Sequence, residues 1–319
     1  MITIKDFAET KFYGMGTQMA YRAIGRRSEK ALRAVQAASH RLERLLSRFI
    51  PESDIARLNC AAGVRCENIS AETFAVLREA LRLSELSDGL FDPTVGPLVD
   101  VWDYKHAVSP PADKTIKEAV SIVNFRDLEL HTGDQTGFLK KCGQSLDLGG
   151  IGKGFASDCF MQIFKKCGLS SAFSNIGGNV STLGSRPDGS AWRVGIRHPR
   201  NEGLIGAVEV INQAVVTSGD YERFFTDRFG RRYHHILNPR TGYPAMSGLI
   251  SVTIVCDSAI TADALSTAVF VAGLDIGIEL IKKIPTTQAV LIDKDLNVYF
   301  TAGLRGGLRI STNHQSILI

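Results

Sequence analysis

The sequence predicts an α+β protein built on a largely antiparallel sheet core with packed helices. Short β-branched or aromatic runs, bounded by Gly, Pro, Asn or Asp, fill the second half of the chain and are typical of strands. Four such runs are Trp192–Arg197, Gly206–Ile211, Ser251–Val255 and Asn297–Phe300. Helical stretches follow Gly152, Thr261 and Asp275. Helices and strands therefore mix without the strict alternation of a parallel α/β domain.

Two amphipathic helices are predicted in the first third of the chain. Ser28 is the expected N-cap of the first helix, which ends before Pro51 because the residue preceding a proline disfavours helix. Ser70 is the expected N-cap of the second helix, which ends near Gly89. The polar, proline-containing segment 105–115 is expected to be a surface connection.

The composition is that of an ordinary globular protein. The chain has 319 residues, 44% hydrophobic and 22% charged, with a formal net charge of +4. A chain this apolar can bury enough surface to fold, which excludes disorder as its main state. A charge of +4 is too weak to indicate a nucleic-acid partner. With no repeat, linker or composition shift, we expect residues 1–319 to form a single domain.

The targeting signals and cysteines favour a cytoplasmic protein with no membrane association. Met1–Glu9 has no basic start followed by an apolar core, so no signal peptide is predicted. No apolar stretch approaches the ~18 residues that a membrane-spanning helix needs. The six cysteines form no CxxC pair or zinc-like set. We expect them to be unpaired, buried thiols in a reducing compartment.

A glycine-rich turn at Leu146–Phe155 is the first candidate site. A carboxylate, Asp147, is expected to end a strand, four glycines follow, and Lys153 stands where a helix begins. Glycines allow close backbone approach to a ligand, and helix-start amides with a lysine attract phosphate. The pattern is not a P-loop, since no Ser or Thr follows the lysine. A plain strand-to-helix turn explains the same residues equally well.

Asp263 and Thr267 form the second candidate site. They are four residues apart on a predicted helix, so both project from one face. A carboxylate with a neighbouring hydroxyl is suitable ligation for Mg²⁺. The alternative is a carboxylate that interacts with the dipole of its own helix, and a threonine bonded to the preceding turn.

Two further segments are candidates for chemistry. His235 precedes a Pro/Gly-rich turn and is a candidate base or phosphate partner, with His234 expected to point the opposite way. Gly89–Leu98 is a stiff loop with two prolines around Asp92, and stiff loops hold ligands at low entropic cost.

Taken in chain order, eight segments resemble the ApbE family of FAD:protein FMN transferases. Each is a weak motif alone, but their common order is specific. The segments are Met15–Thr17, Ser53–Asn59, Phe91–Pro97, Asp147–Lys153, Asn175–Gly178, Thr217–Tyr221, His235–Gly242 and Ala262–Thr267.

The resemblance implies an ApbE-like fold and transfer of FMN from FAD to a Ser or Thr hydroxyl of an acceptor flavoprotein, with Mg²⁺ and release of AMP. It implies that Asp263, Thr267 and the Gly150 carbonyl ligate the metal. His235 is the implied base or phosphate contact, acting with Asp263 and Lys153. Implied contacts with FAD are Met15, Leu90, Phe91, Asp92, Asp147, Lys153, Ile236 and Leu237.

The chain departs from the family pattern after the first helix. Where relatives often have Tyr-Arg-Pro, it has Phe49-Ile50-Pro51, so Phe49 can stack on an aromatic ring but the arginine is missing. Two other functions are considered. An FAD pyrophosphatase would use water as the acceptor, and a non-catalytic flavin-binding protein would not need Asp263, Thr267 and Asp147 together.

Overall fold

The computed structural model describes residues 7–311 and 314–319, which form eight α-helices and four β-sheets. The helices are α1 Ser28–Leu46, α2 Asp54–Cys60, α3 Ala71–Leu86, α4 Gly96–Trp102, α5 Asp113–Val120, α6 Gly152–Lys166, α7 Ala259–Ala272 and α8 Leu274–Lys282. The strands are β1 Phe7–Gly14, β2 Thr17–Ile24, β3 Glu67–Asn68, β4 Leu128–His131, β5 Thr136–Leu139, β6 Ser171–Ile176, β7 Asn179–Leu183, β8 Trp192–Arg197, β9 Leu204–Val210, β10 Ala214–Gly219, β11 Phe224–Thr226, β12 Arg232–His234, β13 Leu249–Cys256, β14 Gln288–Asp293, β15 Val298–Phe300, β16 Leu308–Ile310 and β17 Ser316–Leu318. The predicted α+β class is confirmed.

The largest sheet has nine strands in the order β1-β2-β6-β7-β10-β13-β14-β15-β17. Its neighbours pair antiparallel except β15 and β17, which are parallel. The smaller sheets have the orders β16-β9-β8, β3-β5-β4 and β11-β12. The prediction of a largely antiparallel core is therefore also confirmed.

Both faces of the large sheet are covered, and this explains why β13 is apolar throughout. Val252 and Ile254 pack in the cluster on the helix side, whereas Ile250 and Val255 pack in a second cluster with the strands of the β16-β9-β8 sheet. All eight residues of β13 are buried as a result. A strand buried on both faces reads as a continuous hydrophobic run rather than an alternating one.

Two predicted element boundaries need correction. Ser28 is the first residue of α1, whose N-cap is Arg27 without a side-chain cap bond. Asp147 does not end a strand, because the segment before it is irregular apart from one bridge between Ser145 and Val95. Ser70 does cap α3, since its hydroxyl accepts a hydrogen bond from the Thr73 N–H.

The cysteines are unpaired, as expected, but the expectation that they are buried is wrong for several of them. Cys60, Cys66 and Cys142 are exposed, and only Cys256 is fully buried. No helix in the described part of the chain is long and apolar enough to cross a membrane. Most of the Met1–Glu9 stretch, for which no signal peptide is predicted, lies outside the described residues.

Candidate active site

The candidate site is positioned by the close contact of two helices, α6 and α7. A Cβ atom on Gly154, in the first turn of α6, would lie 2.3 Å from the carbonyl oxygen of Ala259 and 2.7 Å from Cβ of Asp263. Real Cβ atoms do not approach backbone so closely, and only glycine fits here. The start of α6 is thereby brought against the Asp263 side chain.

The Asp263 carboxylate is buried and bonds across the helix contact. Its Oδ2 accepts a hydrogen bond of 2.8 Å from the Gly154 N–H, one of the donors that the start of α6 leaves unpaired. Its Oδ1 lies 3.7 Å from Nζ of Lys153. Asp263 thus caps α6, whereas the first N–H groups of α7 are bonded by Ser258 and Asp158. Oδ1 is the oxygen that faces the Lys153 ammonium.

Thr267 lies one turn after Asp263 and faces the glycine-rich turn. A Cβ atom on Gly150 would be 3.3 Å from Thr267 Oγ1, so this backbone passes directly beside the hydroxyl. Ser218, at the end of β10, lies 3.4 Å from the same hydroxyl and 2.8 Å from Ser266 Oγ. The structure therefore brings Gly150, in the glycine-rich turn, to the face of α7 that carries Asp263 and Thr267.

The potential metal donors are of mixed type. Within residues 7–311 and 314–319, no group of three or more His, Cys, Asp or Glu side chains could hold a metal ion. The carboxylate of Asp263 and the hydroxyl of Thr267 lie one turn apart on α7, and the backbone of Gly150 passes beside that hydroxyl. These hard oxygen donors fit Mg²⁺, which keeps several waters and needs few protein ligands.

The Asp147 carboxylate is held by an arginine that the sequence reasoning missed. Asp147 Oδ1 accepts from the Gly149 N–H at 2.8 Å, and Oδ2 from Arg48 at 3.1 Å. Arg48 also donates to Asp100 at 2.6 Å. Burial lowers the pKa of Arg48, but the two carboxylates outweigh it and the net shift is upward. Lys153 completes this turn by donating to the Gly149 carbonyl at 3.0 Å.

Asn59 explains why the segment before Asp147 needs no strand partner. Its side-chain amide donates to the Leu146 carbonyl at 3.1 Å and accepts from the Leu146 N–H at 2.7 Å. The Asp147 N–H donates to the Pro93 carbonyl at 2.8 Å. Backbone groups that a sheet would otherwise pair are thus satisfied by one side chain and one loop carbonyl. The irregular segment is therefore fixed without a strand, by a side chain from α2.

Phe49 lies at an exposed turn, and Met15 lies half-buried in another turn. Phe49 is 76% exposed, with the Arg48 guanidinium and the Lys105 ammonium 5.7 and 5.4 Å from its ring centroid. Met15 lies in the tight turn between β1 and β2 with a φ of 50°, and its N–H donates to Glu43 at 3.0 Å. Phe49 lies beside Arg48, which binds Asp147 of the site, whereas Met15 contacts Glu43 of α1.

Five predicted residues cluster in or beside the core, and most of their side chains are turned away from solvent. Leu90, Phe91 and Ile236 pack in the main hydrophobic cluster, and Leu237 packs in the cluster around Trp102. The buried Asp92 carboxylate accepts three hydrogen bonds from Thr94 and the Phe125 N–H, and burial raises its pKa.

These side chains therefore build the walls and loops of the site. The Phe91 ring would lie 3.3 Å from a Cβ on Gly150, so it packs directly against the glycine-rich turn. The carboxylate of Asp92 fixes the stiff loop through its hydrogen bonds to Thr94 and Phe125. The predicted contacts of these residues with FAD stay predictions. Because the Asp92 carboxylate is buried, a contact of Asp92 with FAD would have to be made by its backbone.

His235 is held in one tautomer. Its Nδ1 lies 3.1 Å from the carbonyl oxygen of Arg223, which also accepts the His235 backbone N–H at 3.0 Å. Because a carbonyl only accepts, Nδ1 carries the proton and Nε2 carries the lone pair. Burial of the ring, with minor repulsion from Lys153 and other cations, lowers the pKa of His235 to about 4. The imidazole is thus a neutral acceptor at physiological pH.

The neighbouring His234 has both nitrogens engaged in structure. Its Nε2 donates to the Ala245 carbonyl at 2.9 Å, and its Nδ1 accepts the Ile236 N–H at 3.3 Å. The ring is buried against Phe270. Of the pair, His235 is the one with a nitrogen available for chemistry.

The carbonyl that orients His235 belongs to a loop anchored by an ion pair. Asp220 accepts two hydrogen bonds of 2.7 Å from Arg200, and its own N–H donates to the Ile250 carbonyl. Such bidentate pairs fix geometry as well as adding energy. Asp220 therefore holds the start of the loop that reaches Arg223.

Comparison with known proteins identifies the family. The sequence profile of the ApbE family matches residues 15–292. The chain is 36% identical over 297 residues to an FAD:protein FMN transferase of Treponema pallidum, covering 88% of this chain and 82% of that protein. It is 32% identical over 270 residues to an FAD:protein FMN transferase of Klebsiella pneumoniae, covering 83% of each.

Solved structures agree with the sequence match. The ApbE protein of Thermotoga maritima superposes with a TM-score of 0.87 at 30% identity, covering 94% of this chain and 99% of that one. The flavinyl transferase ApbE of Pseudomonas stutzeri superposes with a TM-score of 0.79 at 29% identity, covering 96% and 94%. The predicted ApbE-like fold is confirmed, and the chain belongs to the ApbE family.

Proposed function

We propose that this protein is an FAD:protein FMN transferase that moves FMN from FAD to a Thr or Ser hydroxyl of an acceptor flavoprotein and releases AMP. The proposal is supported above all by the Asp263 carboxylate. One of its oxygens is fixed by the start of α6, and the other faces Lys153. The related proteins in Treponema and Klebsiella are named FAD:protein FMN transferases, which supports transfer of FMN from FAD to a protein.

The oxygens of Asp263, Thr267 and Gly150 would hold Mg²⁺. The hydroxyl of Thr267 is oriented by Ser218, and Gly150 lies against it without a side chain in the way. When bound, the metal would neutralise charge that develops on the phosphate oxygens. Lys153 adds positive charge at the same place and is tied to the turn by the Gly149 carbonyl.

His235 would take the proton of the acceptor hydroxyl. Its Nε2 holds the lone pair, and the low pKa keeps that lone pair free. The hydroxyl oxygen then bonds to the phosphorus on the FMN side of the pyrophosphate, and the bond from this phosphorus to the bridging oxygen breaks. The bridging oxygen leaves with AMP, so one P–O bond forms for each one broken.

The remaining predicted residues would bind FAD. Asp147 is fixed by Arg48 and the Gly149 N–H and can accept hydrogen bonds from a ligand. Phe49 offers an exposed ring for stacking on the flavin, with Arg48 beside it. Arg48, one position before Phe49, places a guanidinium beside this ring.

The test is incubation with FAD, Mg²⁺ and a candidate acceptor flavoprotein, followed by denaturing electrophoresis. We expect flavin fluorescence on the acceptor band, lost when its target residue is changed from Thr to Val. Fluorescence on the Val variant, or AMP released at full rate without acceptor, would favour the pyrophosphatase instead.

A variant pair tests the metal site. Asp263→Ala should abolish AMP formation because it removes the carboxylate ligand and the partner of the Gly154 N–H. Asp257→Ala removes an exposed carboxylate just before the same helix and should leave AMP formation unchanged. Turnover retained by Asp263→Ala would remove Asp263 as a ligand.

We further propose one catalytic domain over residues 1–319 and a cytoplasmic location. The cytoplasmic location is supported by six cysteines that form no disulfide, three of them exposed. The acceptor would then be cytoplasmic or face the cytoplasm. Cell fractionation with an antibody to the chain is the test, and recovery outside the cytoplasm would contradict the location.

A further inference from the structure

The hairpin 223–235, here called the arginine arm, projects from the site and ends on the proposed base. Its inner face is anchored, because Phe225 and Tyr233 stack at 5.1 Å and pack on the buried Trp102. Its last residue is His235, bonded to the carbonyl of Arg223 at the other end of the arm. A partner bound along the arm would therefore extend toward His235.

The outer surface of the arginine arm is unusually apolar for an exposed hairpin. Phe229 at the tip is 79% exposed and Phe224 is 44% exposed. Met246, which Arg231 contacts from the arm, is 83% exposed. Exposed aromatic and methionine side chains next to arginines are typical of the centres of protein–protein interfaces.

The arm carries four arginines and one acidic residue, so its charge is positive. Among the described residues, none of its four arginines lies within 4.0 Å of a carboxylate oxygen; they are Arg223, Arg228, Arg231 and Arg232. The one acidic residue inside the arm, Asp227, is used internally by the N–H groups of Phe229 and Arg231 and by the Tyr233 hydroxyl. The arm therefore presents an excess of cations to solvent.

The arginines are pre-arranged to receive carboxylates. Arg228 lies over the Phe229 ring, Arg231 over Tyr233 and Arg232 over Phe224, at 4.7, 5.3 and 3.6 Å from the ring centroids. A guanidinium stacked on a ring keeps the N–H donors at its edge free, and these match a carboxylate in pairs.

The length of the outer arm suits a protein bound beside its target hydroxyl. Arg231 is four residues before His235, which is roughly 13 Å along an extended strand. When the target hydroxyl of a protein acceptor lies at His235, neighbouring carboxylates of that acceptor can reach the arginines of the arm. They would lie on either side of an apolar contact with Phe229 and Met246.

We propose that the arginine arm, together with Met246, docks the acceptor flavoprotein through an acidic segment beside its target hydroxyl. This inference rests on the proposed function. It adds the chemistry of the partner: carboxylates flanking the Thr or Ser, with an apolar side chain for the exposed tip.

The test compares two charge-reversal variants with the acceptor that the wild type flavinylates. Arg228→Glu/Arg231→Glu reverses the outer arm. Arg193→Glu/Arg309→Glu makes the same change in charge on β8 and β16, at exposed arginines away from the arm. We expect kcat/KM for the acceptor to fall about tenfold or more only in the arm variant, since rim charges govern association with a complementary partner. The KM for FAD should stay within about twofold in both.

Three results would overturn the proposal. An equal fall in kcat/KM for the acceptor in both variants would indicate an effect of the overall charge of the protein and not of the arm. An unchanged kcat/KM in the arm variant would exclude docking on the arm. A higher KM for FAD with an unchanged KM for the acceptor would assign the arm to the nucleotide. As a second readout, a peptide carrying the target residue should lose reactivity when its flanking Asp and Glu become Asn and Gln. If the wild type flavinylates no acceptor, the proposed function itself fails, which is a distinct outcome.

Discussion

Gly154→Ala probes the contact that places Asp263 at the start of α6. The new Cβ would lie 2.3 Å from the Ala259 carbonyl oxygen, about 1 Å closer than an ordinary contact, and 2.7 Å from Asp263 Cβ. Both obstacles belong to α7, one of them to its backbone. The two helices must separate, and the 2.8 Å bond from the Gly154 N–H to Asp263 must stretch or break.

The magnitude follows from these two losses. Overpacking a well-packed contact costs about 1–3 kcal/mol, and a hydrogen bond to a charged group contributes about 1.5–3 kcal/mol. Because relaxation recovers part of this, we expect the free energy of unfolding to fall by about 2–4 kcal/mol. At an unfolding entropy of about 2.1 cal/mol/K per residue, this lowers Tm by roughly 3–6 °C in a chain of 319 residues. Thermal unfolding measures this shift. AMP formation should fall by more than tenfold even where the variant is fully folded.

Gly152→Ala is the matched control in the same helical turn. Its Cβ would meet only Leu148 Cβ, at an ordinary 3.7 Å. Replacing a helical glycine by alanine favours the helix by about 0.5–1 kcal/mol, so Tm should stay level or rise. Equal stability of the two variants would refute the packing account, and full activity in a destabilised Gly154→Ala would refute the link from this contact to Asp263.

Two further predictions concern His235. Asp220→Asn removes the negative charge and one of the two acceptor oxygens that bind Arg200. It should lower the free energy of unfolding by about 1–3 kcal/mol and kcat about tenfold, measured by denaturant unfolding and AMP release. Glu222→Gln, on the exposed neighbour, should change neither, and a normal kcat in Asp220→Asn would remove its positioning role. The lowered pKa of His235 means that the folded protein binds fewer protons than the unfolded chain between about pH 4 and 6.5, so stability should fall as the pH drops from 6.5 toward 4. This slope should weaken in His235→Asn, and an identical slope would contradict the pKa assignment.

The sequence was most informative where local patterns decide the structure. The strand Trp192–Arg197 has the predicted bounds because its buried and exposed residues alternate strictly. Ser70 caps α3 because a hydroxyl at that position satisfies a free N–H of the first turn. Asp263 and Thr267 share a helix face simply through their spacing.

The rest depends on contacts between distant segments, which spacing does not encode. Arg48 was missed because only the fold brings it to Asp147, 99 residues later in the chain. The strand expected before Asp147 does not form, because Asn59 supplies its hydrogen bonds from α2. The role of Gly154 likewise becomes visible only once α6 crosses α7.

The central claim is that a protein hydroxyl, and not water, receives the FMN. Its most direct test measures AMP and protein-bound FMN in parallel, with FAD and Mg²⁺, in the presence and absence of the acceptor flavoprotein. The account predicts equal amounts of AMP and covalent FMN with the acceptor, and little AMP without it. AMP formed at the same rate in both reactions, with all FMN free in solution, would contradict it.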